Sequence, residues 1–170
     1  MATSMVERMI GAAMLNVDTY EEVEADQDAT GQAAIVVAVV AACAAIGASP
    51  LGIFTAAFAA VGALFQWLIW AGITYFVGAN VFKADVTWGE MLRALGFAQA
   101  PGVLYITGII PLLSLPIIFV TWLWMLATAF VGSRQALDLS NGKTFITILI
   151  GGLVAVALRS LPVLGPIFGG

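Results

Sequence analysis

The chain has 170 residues, of which 62% are hydrophobic and only 9% charged, and its net charge is −4. Soluble globular domains carry roughly a quarter of their residues as charges, so this composition excludes an ordinary water-soluble fold, and six scattered Lys and Arg residues exclude a basic nucleic-acid surface. With no histidine and a single cysteine, Cys43, neither a His-based catalytic set, a thiolate metal site nor a disulfide framework can be assembled.

In chain order, Met5, Val6, Met9, Ile10, Ala13 and Met14 recur at helical spacing around Glu7 and Arg8, the pattern of a short amphipathic helix on a membrane surface. Acidic residues from Asp18 to Asp28 follow. They stand where a cleavable signal would have an apolar core, so the segment is expected to be retained, as a solvated face or a docking strip for a basic partner. Ala29 to Phe82 and Ala94 to Ser133 hold no charged side chain. In hydrocarbon each unsatisfied amide costs several kcal/mol, so such runs must close their own hydrogen bonds as helices.

Breaks at Ala48–Gly52, at Lys83–Asp85 and between Pro111 and Pro116, and a compact turn from Asp138 to Gly142, divide the apolar chain into spans of about 30–47, 53–82, 95–110, 115–137 and 144–160. Thr87-Trp88-Gly89-Glu90 has capping-box spacing and starts the third element near Trp88. Pro101 kinks or restarts that element between Gln99 and Gly102, and Thr144 is placed to cap the last helix. Arg159 interrupts the final apolar run, and Pro162, Gly165 and Pro166 follow it. The expected fold is therefore all-α: a surface segment over 1–28, then a polytopic five-helix transmembrane domain over 29–170, with four crossings as the competing count. Five crossings put Arg8, Lys83, Arg93, Arg134 and Lys143 on one face, which the positive-inside rule makes cytoplasmic, with the C-terminus outside.

Helices in lipid associate by close fit, so small residues mark their contacts. Ala34, Ala38 and Ala42 form one stripe, Ala56 and Ala60 a second, and Gly151 with Ala155 a third. Trp67, Trp70, Trp122 and Trp124 are expected to pack rather than to cage a ligand. Gln66, Asn80, Gln99, Thr107, Thr121 and Thr128 are the neutral polar residues at membrane depth, with hydrogen bonding between helices as their default role. Gln99 beside Pro101 suggests a donor for a carbonyl that proline leaves free. Arg134 and Asp138 at i, i+4, close to Glu90 and Arg93, suggest an ion-pair network at the cytoplasmic rim. No catalytic residue, cofactor site or metal site is expected.

Three stretches carry a family likeness: Thr19-Tyr20-Glu21-Glu22-Val23-Glu24 with Asp26; Met91-Leu92-Arg93-Ala94-Leu95-Gly96-Phe97-Ala98 with Ala100-Pro101; and Val131-Gly132-Ser133-Arg134-Gln135-Ala136-Leu137-Asp138. In their order the chain resembles the bacterial branch of the Yip domain family, the Ypt-interacting membrane proteins. The resemblance implies a five-helix bundle with a cytoplasmic N-terminus and, in eukaryotic relatives, a trafficking factor that binds partners including Rab-type GTPases. Segments like Asp-Leu-Trp-Gly-Pro and Gly-Tyr-Ser of those relatives are missing, so GTPase binding is not carried over. The expected function is a non-enzymatic scaffold in a bacterial plasma membrane, meeting lipids, itself or other membrane proteins. Tyr20, Glu21, Glu22, Glu90, Arg93, Arg134 and Asp138 are its candidate rim contacts, and Pro101 joins the packing residues. An accessory subunit of a bioenergetic complex and a small channel or carrier are the alternatives.

Overall fold

Capping chemistry sets the helix starts. In the computed structural model, which describes residues 3–159, Ser4 and Glu7 close a capping box at the start of α1 (Met5–Ala13), satisfying amide groups that the first helical turn leaves free. Leu15 turns the chain with φ +62°. Asn16 then accepts from Thr19 N to cap α2 (Val17–Ala25). The acidic run is therefore itself a helix, which its lack of apolar periodicity concealed.

Next come α3 (Ala29–Ala48), a 3-10 turn (Ser49–Leu51) and α4 (Ile53–Asn80). The turn falls at the anticipated Ser-Pro break, where Gly52 takes φ +112°, open to glycine without penalty. Thr87 and Glu90 make the expected capping box at α5 (Trp88–Phe97). A 3-10 helix (Ala100–Ile109) continues from it, beginning where Pro101 removes an amide donor.

The later boundaries depart from expectation. Helix α6 (Pro111–Leu137) begins at the first proline and carries Pro116 inside it, because proline at the first helical position gives up only an amide that would be unpaired anyway. Helix α7 (Asn141–Arg159) starts ahead of Thr144. The Thr144 hydroxyl donates back to Ser140 O at 3.2 Å instead of capping.

Three helices among the described residues are long and apolar enough to cross a membrane: Ala29–Leu51, Ile53–Asn80 and Ser114–Leu137. Their outer faces carry large apolar side chains, such as Phe54, Leu64, Phe65, Phe76, Phe119 and Trp122, as suits surroundings of hydrocarbon rather than water. No strand occurs among the described residues. The core gathers Ala33, Val36, Val37, Trp67, Ala71, Met91, Phe97, Ala129 and Leu137, together with Ala12, Tyr20 and Val23 from the N-terminal hairpin.

α5 and its 3-10 continuation run parallel to α3 along a glycine seam. A Cβ on Gly96 would lie 2.7 Å from Ala33 Cβ, one on Gly102 2.6 Å from Val40 Cγ1, and one on Gly108 2.7 Å from Gly47 O. Gly102 and Gly108 share a face because a 3-10 helix has about three residues per turn. The seam explains a correction: Ala34, Ala38 and Ala42 are exposed, and the packed face of α3 is Ala29, Ala33, Val36, Val37, Val40 and Ala41. α3 is apolar on every side, so its sequence periodicity could not choose the face. Ala56 and Gly151 are buried and Ala60 partly so. Gly151 brings α7 onto α4, where its Cβ would meet Trp70 Cδ1 at 3.2 Å. The side chains of Ala155 and Arg159, and all of Pro162, Gly165 and Pro166, lie outside the described residues.

Candidate functional site: the hairpin junction

The α1–α2 hairpin lies over the end of the bundle where α3 and α5 begin and α6 ends. Arg8, only 4% exposed, ties it down. Its guanidinium donates to Glu22 Oε1 at 3.1 and 2.8 Å, to Asp26 Oδ2 at 2.7 Å and to Gln32 Oε1 at 3.1 Å, joining α1, α2 and α3. Burial works against its charge, but Glu22 and Asp26 outweigh that and raise its pKa. In turn the Arg8 hydrogen bond holds the Asp26 carboxyl below its ordinary value.

Tyr20 is the packing key. It is fully buried, its hydroxyl donates to Ala12 O at 3.1 Å, and its ring fills the notch left by Gly132, whose Cβ would lie 2.8 Å from Tyr20 Cε1 and 3.2 Å from Ala94 O. Trp124 Nε1 donates to Ala13 O at 2.7 Å. Trp124 thus serves a carbonyl at the C-terminal end of α1, where a helix cannot satisfy its last groups by itself, and Tyr20 adds a second donor to Ala12 O, which also accepts from Leu15 N at 3.1 Å.

Arg93 does the same for α2. Buried at 5% exposure on α5, it donates from Nε to Val23 O at 2.9 Å and to Glu24 O at 3.1 Å, from Nη2 to Glu24 O, and from Nη1 to Thr30 Oγ1 at 3.2 Å. A cation at the carbonyl end of a helix also meets the negative pole of its dipole. Glu24 beside it is half-buried, and its Oε2 is sealed without a hydrogen-bond partner.

The rim differs from the anticipated ion-pair network. Arg134 and Asp138 are exposed, and the ion pairs among the described residues are those of Arg8. Asp138 ends α6 with φ +48°, in the left-handed region, so it leaves the helical register that an i, i+4 pair requires. Glu90 instead accepts from Thr87 N at 2.8 Å. Glu21 accepts from Gln135 Nε2 at 3.2 Å, a bridge between exposed parts of α2 and α6.

Deeper in the bundle the carbonyl left over beside Pro101 is that of Ala98, and its donor is Thr128 at 2.6 Å rather than Gln99. Proline at the third position beyond Ala98 has no amide to offer. Trp67 donates to Leu92 O at 3.1 Å, whereas Trp122 is exposed and packs outward rather than inward.

The three stretches singled out in the sequence therefore meet at one place: Tyr20, Val23 and Glu24 from the first, Arg93 and Ala94 from the second, Gly132 and Gln135 from the third. Arg8, Gly132 and Glu24 carry this junction without having been marked as site residues. The opposite charges of Arg8 and the acidic run offered a signal, but only folding shows which carboxylates it meets. Among the described residues no group of His, Cys, Asp and Glu is arranged to hold a metal ion.

A family model described as Yip1 domain matches residues 14–161. No curated protein and no solved structure matches the chain.

Proposed function

The chain belongs to the Yip1 domain family, and from that membership we propose that it is a non-enzymatic membrane scaffold whose charged rim docks partner membrane proteins or a second copy of itself. The observation that carries this reading is the convergence of the three family-like stretches on the hairpin junction. Glu21, Arg134 and Asp138 are exposed there and offer the contacts. Tyr20, Glu22, Glu90 and Arg93 act behind them, holding α2 and α5 so that the rim keeps its shape.

The topology proposed with it has five crossings. A 3-10 helix rises about 2.0 Å per residue against about 1.5 Å in an α-helix, so from Leu95 to Ile109 the element reaches about 28 Å, close to a hydrocarbon core of roughly 30 Å. Residues 1–28 then form the surface segment of a membrane domain over 29–170. The positive-inside rule favours a cytoplasmic rim, with a bacterial plasma membrane as the setting. GTPase binding forms no part of the proposal.

The test is purification of the full chain in mild detergent with a photo-crosslinker at the exposed Asp18 of α2. Docking predicts partner polypeptides, or a second copy, crosslinked at fixed ratio and lost from the R134A/D138A variant. Retention of every partner by that variant would reject rim docking.

A further inference from the structure

We propose that Glu24 is a proton-operated latch: its neutral carboxyl keeps α2 docked on α5 and α6, and its ionisation loosens the α1–α2 hairpin. The geometry supplies the reason. Glu24 Oε2 is sealed from solvent and has no hydrogen-bond partner, the arrangement that a carboxylate tolerates least and a neutral acid tolerates better. The nearby cation cannot relieve it, because the Arg93 guanidinium is committed to Val23 O, Glu24 O and Thr30 Oγ1.

The charged groups around Glu24 come from every element packed on α2. Glu21 stands on α2 itself, Glu90 and Arg93 on α5, and Asp138 at the end of α6. Arg134 on α6 is exposed, and Arg8 on α1 is engaged by Glu22 and Asp26. Three carboxylates therefore oppose ionisation and one guanidinium favours it.

Burial first, then repulsion from Asp138, Glu90 and Glu21, pushes the Glu24 carboxyl up to about 7, against the pull of Arg93. Once α2 is released the group regains its ordinary value of 4.5. Because the docked value is the higher, the contribution to docking is complete below the released value and is lost as pH rises through the docked one. Near-neutral pH thus falls within the working range of the latch.

The inference concerns the position of the hairpin and not its partner, so failure of rim docking would leave it standing. Amide hydrogen exchange of α2, in the full chain reconstituted in lipid nanodiscs and corrected for the intrinsic rate, tests it. Exchange is expected to be about tenfold slower at about pH 5.5 than at about pH 8, with α4 amides as the unresponsive reference. E24Q should show acid-like protection at both values, and D18N, altered at an exposed position of the same helix, should keep the wild-type response. Equal protection of wild-type α2 at the two values would overturn the latch, as would an E24Q variant that still responds to pH.

Discussion

The two ends of the α3–α5 pair are held by different physics. At the hairpin end, buried side chains reach across helices to backbone carbonyls: Tyr20 to Ala12, and Arg93 to Val23 and Glu24. At the far end the two backbones approach directly, Gly47 against Tyr105 and Gly108, with no side chain between them. The difference follows from what each end presents. At the hairpin end the last carbonyls of α2 lack partners within the helix, and a charged residue supplies the donors. At the far end the facing residues include glycines, so the backbones can close and association there depends on van der Waals contact.

That contrast can be broken at either end. The largest effect is expected from Gly47→Leu, because its Cβ meets backbone at Tyr105 and the two helices must separate. Overpacking of this kind costs about 3 kcal/mol, read as a lower midpoint of thermal or denaturant unfolding in detergent. Arg93→Ala comes next. It orphans the carbonyls of Val23 and Glu24, a loss of about 2 kcal/mol concentrated in exchange protection of α2. Arg93→Lys should recover only part of this, since one ammonium cannot reproduce the fork of a guanidinium. The smallest effect is that of R134A/D138A on stability, within about 0.5 kcal/mol because both side chains are exposed and unpaired with each other. A large destabilisation there would mean that the rim holds the bundle together, and would blur the line between the two ends.

Much of the framework is legible in the sequence. The Thr87–Glu90 capping box, the Ser49-Pro50 turn and the restart at Pro101 each act within one turn of helix, so local chemistry sufficed. Ser4 and Glu7 use the same spacing at α1. The junction was legible only in part. Tyr20 and Arg93 stood out as members of family-like stretches, but nothing in their spacing said that Tyr20 fills the notch above Gly132 or that Arg93 serves backbone carbonyls instead of Glu90. Small-residue spacing points to Ala34, Ala38 and Ala42 and not to Gly102 and Gly108, because a six-residue interval has no meaning at 3.6 residues per turn and aligns only in a 3-10 helix.

What the sequence by itself determined is the surroundings and the segmentation: two long charge-free runs require backbone groups that pair internally, and prolines, glycines and capping residues mark where each helix begins and ends. What only the tertiary structure decided is which face of each helix is covered and which carbonyl each buried donor serves. Helices apolar on all sides carry no record of their own orientation, and a partner some seventy residues away, as Val23 is from Arg93, is chosen by packing rather than by any local rule.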